Sequence, residues 1–352
     1  HHQVILMPLV GFDASGNRLG MGGGYYDRTL ASIQAQMIKP KLFLYRNRRP
    51  HAHDKDPSGI YVNTVPMSEI GISEHFELSY PEDADYFYMG QFNNDASIHQ
   101  YSPSSFEFFE GNEHKHICDY EGEGGQEHGA GGQALVDWLK DSIMTINGPL
   151  KKYKDLNIYT RPTFSTLLID IANNRSNAFS FPKTKSMGFK GFLNCNARHA
   201  MREALSRMSS VNMDISFNPS WSGPSQIGSS IQEDYISLLL NNMISICPRG
   251  SGKDRVRLYE TCYFTRVPVL ISDYDYFMVG EDHYDTSFCY RICSEALDPD
   301  YIAEKLQEIY DEPMSELQDR ANDARKYFEQ VIRPYFFYPT SRFLEWLKKN
   351  ER

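Results

Sequence analysis

The sequence predicts an α/β protein built from two units of alternating strands and helices. Three observations lead there. The chain has 352 residues, and at about 150 residues per domain that suggests two domains or slightly more. From residue 70 onward, short apolar runs bounded by turns alternate with stretches of helical spacing, the pattern of α/β layering. The segment FSFPKTKSMG (179–188) is a Pro/Gly/Lys-rich break near the middle. The expected units are residues 41–180 and 181–335. A compositionally different stretch, 1–40, precedes them, and a closing segment, 336–352, is expected to pack back toward the first unit.

Taken in order, VILMPLV (4–10) is a continuous apolar run and reads as a buried strand. A turn, a glycine-rich loop and a helix from about Asp27 follow. LFLYR (42–46), ADYFYMGQF (84–92) and HKHICDYEGEG (114–124) read as strands, each ending in a polar or glycine-rich loop. GQALVDWLKDSIMTI (132–146) has Leu135, Leu139 and Ile143 at helical spacing, which predicts a helix. LNIYT (156–160) reads as a strand and FSTLLIDIA (164–172) as a helix. In the second unit, strands are expected at FKGFLN (189–194), ISICPRG (244–250) and VPVLISD (267–273). Helices are expected at 197–208, 234–243, 254–265, 298–311 and 315–332, with a last one at 341–350; their charged faces alternate with apolar stripes.

Composition excludes several classes. Lys and Arg number 36 against 46 Asp and Glu, a net charge of −10, which disfavours a sequence-independent nucleic-acid binder. The six cysteines form no CxxC and no zinc-finger spacing, and read as mostly buried thiols, in keeping with a reducing compartment. The apolar stretch YISLLLNNMISIC is broken by Asn241 and Asn242 and falls well short of a membrane span. The chain opens on His1 and His2, which leaves open an upstream signal or anchor and with it a cytoplasmic or Golgi-lumenal location. The His-bearing stretches NEHKH (112–116) and RPHAHDKD (49–56) read as solvated rather than metal-binding. GAGGQA (129–134) matches a dinucleotide fingerprint only weakly, because it lies some way past the expected strand end.

The most informative stretch is SICPRGSGKDRVRLYETCYFTRVPVLISDYD (245–275). A strand ends at Cys247, and the loop that follows sets Arg249, Lys253 and Arg255 beside two glycines at the mouth of a helix. Backbone N–H groups, the helix dipole and guanidinium forks suit a phosphate or diphosphate. Arg257 and Glu260, three apart, share a helix face. A carboxylate there can accept from two ribose hydroxyls, as acidic residues do in dinucleotide sites. The alternative reading is a solvated basic helix start with a surface ion pair.

This run resembles the exostosin-type glycosyltransferases (family 47), which carry "C-P-R-G … R-x-x-E … P-V-I/L-I-S" in their C-terminal domain. The matching residues are Cys247, Pro248, Arg249, Gly250, Arg257, Glu260, Pro268, Val269, Leu270, Ile271 and Ser272. Weaker likeness covers about 310 residues, through LFLYR, SYPEDADYFYMGQF (79–92) and FKGFLNCNARHAMREAL (189–205) with Arg198 and Arg202. The family's "GrDHf" signature is not visible. The resemblance implies a GT-B fold, two Rossmann-like domains facing a cleft, and a nucleotide-sugar donor, usually UDP-linked, with a glycan or other hydroxyl acceptor. It further implies inversion at the anomeric carbon without a required metal. Arg198, Arg249, Gly250, Ser251, Arg257 and Glu260 would bind the donor, the arginines on the diphosphate and Glu260 on the ribose. A base to deprotonate the acceptor is expected on a loop after a strand of the first unit, where Asp119, Glu121, Glu123 and His128 are candidates. A GT-B-like binding protein without turnover is a further reading.

The first 40 residues carry a different signature. PLVGFDASGNRLGMGGGYYDRTLA (8–31) resembles the phosphate loop of 5-formyltetrahydrofolate cyclo-ligase. That likeness implies a loop cradling ATP phosphate with Mg²⁺, held by Arg18, Gly20, Gly22, Gly24, Tyr25, Tyr26 and Asp27. Glycines let backbone N–H groups close on phosphate. The likeness spans about a ninth of the chain, so a fused remnant or a joining of two genes is expected, dispensable for donor binding. An ATP-dependent cyclo-ligase-related protein is the alternative function.

Overall fold

The computed structural model describes residues 11–12, 18–19, 39–45, 75–92, 106–123, 141–147, 158–162, 165, 167–168, 171, 179–218, 230–250, 256–273 and 278–350. The fold class is α/β. Near the N-terminus, β1 (Gly11–Phe12) and β2 (Arg18–Leu19) form a short antiparallel pair. The first large sheet holds β3 (Lys41–Leu44), β4 (Glu77–Leu78), β5 (Tyr86–Phe92), β6 (His116–Glu123), β7 (Ile143–Asn147) and β8 (Ile158–Arg161). Their order is β4-β3-β5-β6-β7-β8, parallel throughout. The second holds β9 (Met187–Phe192), β10 (Met213–Asn218), β11 (Ile244–Pro248), β12 (Val267–Ser272) and β13 (Tyr290–Cys293), parallel in the order β10-β9-β11-β12-β13.

Both sheets therefore begin 2-1-3-4-5, the doubly wound order in which the chain reverses direction across the sheet between its first and third strands. Two such Rossmann-like units, with the last helix returned to the first, make an arrangement of the GT-B kind. In the second unit β11 and β12 are buried along their whole length, which is why they read as unbroken apolar runs. Alternate residues feed two cores. Ile244, Ile246, Val267, Val269 and Ile271 pack under the helices Asn196–Arg207 and Pro299–Asp311. Cys247 and Leu270 face the helices Ser230–Asn241 and Val256–Tyr263 on the other side.

Several local readings change. Residues 143–147 form a strand rather than the end of a helix: the β-branched Thr145 and Ile146 are paired on both sides, by β6 and β8, and Ile143 is paired by β6, and this overrides the helical spacing of Ile143. The strands β4, β10 and β13 are absent from the sequence reading. All three are edge strands; Glu77 and Arg291 interrupt the apolar signal in β4 and β13, whereas β10, MDISFN, alternates apolar and polar residues as a half-buried strand does. The helix expected over 315–332 runs as α from Met314 to Tyr327 and widens to π over Phe328–Ile332. Pro334, lacking an N–H, follows at the start of the next helix.

Two stretches connect the units. Leu167, Leu168 and Ile171, ahead of the boundary expected at 180, pack in the core of the second sheet. The last helix, Pro339–Asn350, places Phe343 and Leu347 against Leu42, Ile117 and Tyr159 of the first. Ser341 Oγ lies 3.0 Å from His75 Nε2, and Tyr335 packs against both cores.

Beneath the second sheet lies Arg266, with no solvent exposure. Its guanidinium donates to five carbonyls: Leu239 (2.8 Å), Leu240 (2.7 Å), Phe264 (2.8 Å), Thr265 (3.0 Å) and Ser180 (3.1 Å). It thereby gathers the C-terminal ends of two helices and the segment entering the second unit, a favourable place for a cation. Burial lowers its pKa to about 10, so it stays charged at neutral pH. No carboxylate is among these five partners.

His116 corrects another expectation. It is not solvated but fully buried, stacked on Phe87 with ring centroids 4.7 Å apart. Its Nδ1 donates to Asn112 O at 2.8 Å and its Nε2 accepts from Tyr45 at 3.1 Å. Burial holds its pKa below the usual histidine value. Among the described residues, no group of His, Cys, Asp and Glu is placed to hold a metal, and no helix is long and apolar enough to cross a membrane. All six cysteines are free thiols.

Candidate functional site

Open α/β sheets bind ligands beyond the C-terminal ends of their strands, at the point where strand order reverses. In the second unit that point lies between β9 and β11. β9 ends at Gly191-Phe192, and Cys195 then caps the helix carrying Arg198. β11 ends at Pro248, followed by Arg249 and Gly250.

These two ends are tied together. Arg198 donates from Nε to Arg249 O (3.2 Å) and from Nη1 to Phe192 O (2.6 Å), and Cys195 Sγ donates to the same Arg249 oxygen at 3.0 Å. Of the two neighbouring glycines, Gly191 is the crowded one. A Cβ on Gly250 would sit 3.4 Å from Arg198 Nη2, and one on Gly191 only 2.9 Å from the Phe189 ring. Arg249 itself is held by Asp273, just past β12, in a bidentate pair through Nε (2.5 Å) and Nη2.

Arg257 and Glu260 lie beside this group. The Arg257 guanidinium is sandwiched between the rings of Phe189 (4.6 Å) and Tyr235 (5.1 Å), and it donates through Nη2 to Lys190 O. Its Nη1 is buried and meets no acceptor among the described residues, an uncommon condition for a charged donor. Glu260 is only 3% exposed. Oε2 accepts from Tyr235 at 2.6 Å and Oε1 from Ser165 at 2.8 Å. Burial raises its pKa, against the two hydroxyls and the Arg257 charge, which lower it. Ser165 Oγ also accepts from Leu168 N at 3.2 Å, so the carboxylate fastens the segment between the sheets to the helix Val256–Tyr263.

The structure thus brings Arg198, Arg249 and Gly250 into one bonded group, with Arg257 and Glu260 in a second; Phe189 touches both, with Arg198 5.8 Å from its ring. Asp119, Glu121 and Glu123 fall within strand β6 rather than in the loop after it, because pairing to β5 and β7 continues to Tyr120 and Glu123. The placement of their side chains lies outside the described residues, as do Ser251 and His128. So do Gly20, Gly22, Gly24, Tyr25, Tyr26 and Asp27 of the N-terminal loop; Arg18 is described only as part of β2. Sequence reasoning missed Asp273, Tyr235, Ser165 and Cys195. Asp273 had the best signal, as the polar residue ending VPVLISD.

Comparison with known proteins adds two kinds of likeness. Residues 1–45 match the 5-formyltetrahydrofolate cyclo-ligase family. The cyclo-ligase of Haemophilus influenzae is 51% identical over 43 residues, 12% of this chain and 23% of that protein. The Escherichia coli K12 enzyme is 57% identical over 37 residues, 10% of this chain and 20% of that protein. The chain spans less than a quarter of the length of these relatives.

Among solved structures, sucrose-phosphate synthase from Thermosynechococcus elongatus aligns over 94% of this chain and 93% of its own, at 11% identity and a TM-score of 0.46. A glycosyltransferase from Rickettsia africae aligns over 89% and 99%, at 8% identity and a TM-score of 0.41. The pneumococcal O-GlcNAc transferase GtfA, solved with UDP and GlcNAc, aligns over 66% and 56%, at 12% identity and a TM-score of 0.30.

Proposed function

We propose that the chain binds a nucleoside diphosphate sugar at the C-terminal edge of its second sheet and transfers the sugar to a hydroxyl acceptor. The observation that supports this reading is the gathering of Arg198 and Arg257 over Phe189, with Arg198 bonded in turn to Arg249, where the strand order reverses. Three guanidinium groups there suit a diphosphate, and they supply charge where a leaving diphosphate develops it. The Nη1 of Arg257, which meets no acceptor among the described residues, is a donor suited to a phosphate oxygen. Glu260 already accepts one hydroxyl on each carboxylate oxygen, and each oxygen keeps a further lone pair for a ribose hydroxyl. The UDP preference, the inversion and the absence of a required metal rest on the exostosin-type resemblance. The base would come from Asp119, Glu121, Glu123 or His128 in the first unit.

Calorimetry with UDP, uridine and ATP tests the reading. Glu260→Ala should weaken UDP and uridine alike, whereas Arg257→Ala should act mainly when phosphates are present, by roughly ten- to a hundredfold. Equal loss from salt alone, with no dependence on the nucleoside, would reduce the site to a basic surface. Binding without slow hydrolysis of any UDP-sugar would make the chain a non-catalytic nucleotide-sugar binder. The family match over residues 1–45 favours a second reading, an ATP-phosphate loop related to the cyclo-ligases; ATP binding that requires Arg18 would support it.

A further inference from the structure

Arg249 does not present an open fork. Nε and Nη2 are both engaged by the Asp273 carboxylate, and Nη1 donates to Gly250 O at 3.0 Å. The backbone around it is fixed: Arg249 N donates to Ile271 O at 2.9 Å, and Arg249 O accepts from Arg198 and Cys195. The two side chains remain 17% and 27% exposed, so solvent reaches the pair. Their strands, β11 and β12, are neighbours, paired as far as Pro248 and Ile271. A carboxylate taking a guanidinium fork side-on uses the same two-oxygen geometry as a phosphate.

We propose that Asp273 is an internal competitor for the anion at Arg249, and so sets the affinity of the site for phosphate-bearing ligands. This rests on the donor-site reading above. An incoming phosphate must displace two charge-assisted bonds and then sits beside a freed carboxylate of its own sign. The opposite role, Asp273 as a group that aims Arg249 at the ligand, makes the reverse prediction, which keeps the two apart.

The experiment measures pyrophosphate, UDP and uridine binding to the wild type, Asp273→Asn and Asp273→Ser, with circular dichroism to confirm the fold. The competitor role predicts about tenfold tighter pyrophosphate and UDP binding in both variants, and unchanged uridine binding. Unchanged or weaker phosphate binding in the variants, with the wild type binding normally, would overturn it while leaving the donor site standing. No binding of pyrophosphate or UDP to any of the three proteins would overturn both. Should neither variant fold, the Nε–H resonance of Arg249 in the wild type decides: it must shift when pyrophosphate is added, and a resonance that stays put refutes the exchange of partners.

Discussion

Tyr235 and Glu260, on neighbouring helices of the second unit, share a 2.6 Å hydrogen bond in a place nearly closed to solvent. The tyrosine hydroxyl is the donor, and burial holds its pKa well above the usual value, so it keeps its proton. Tyr235→Phe should cost about 1–3 kcal/mol, since the buried carboxylate loses one of two hydroxyl donors. Chemical denaturation of both proteins at neutral pH measures this.

The same carboxylate gives a pH signature. Its folded-state pKa lies above the ordinary 4.5, so in the window just above 4.5 the folded protein binds more protons than the unfolded chain. Stability from this group therefore rises as pH falls through the folded pKa toward 4.5, and levels off below. Glu260→Gln should abolish that gain. Midpoints of denaturation compared across the window should differ in slope between the two proteins; equal slopes would contradict the assignment.

Arg266 should be the costliest of these residues to lose. Arg266→Met leaves five buried carbonyls without their donor, and a loss on the order of 3–5 kcal/mol is expected. Arg266→Lys should recover only part of it, because one ammonium has three donors and no planar fork. A loss below 1 kcal/mol by denaturant titration would show that the carbonyls find water.

Thr265 should be improvable. It closes the helix Val256–Tyr263 in a left-handed conformation, φ 60°, with Arg266 N donating to Thr261 O and Thr265 N to Cys262 O. That is the helix-ending turn for which glycine is preferred, and a β-branched residue is strained in it. Thr265→Gly is expected to raise stability by about 1 kcal/mol, the relief of strain exceeding the extra chain entropy. Thermal melting reads the sign.

Gly188 makes the opposite case. A Cβ there would lie 2.8 Å from Asn242 Cγ, and Asn242 is held by Leu238 O at 2.9 Å and Asp214 at 3.3 Å. Gly188→Ala should destabilise by about 1–3 kcal/mol through overpacking, again seen in the melting temperature.

The amino-acid sequence by itself determined the α/β class, most of the central strands, and the arginines and glutamate that now lie at the edge of the second sheet. Those features are local: β11 and β12 are covered on both faces and so spell themselves out in apolar residues, and a helix face is set by spacing alone. Only the tertiary structure decided the edge strands β4 and β13, which are short and carry polar residues at their exposed or half-exposed positions. It also decided that residues 143–147 are strand, because pairing on both sides outweighs a fortuitous helical spacing. And it alone decided the partners of the charged groups. Asp273 meets Arg249 from 24 residues away, and Ser165 meets Glu260 from 95. Such pairings arise from strand order and chain crossing, which bring distant residues together without any signal in the residues between them.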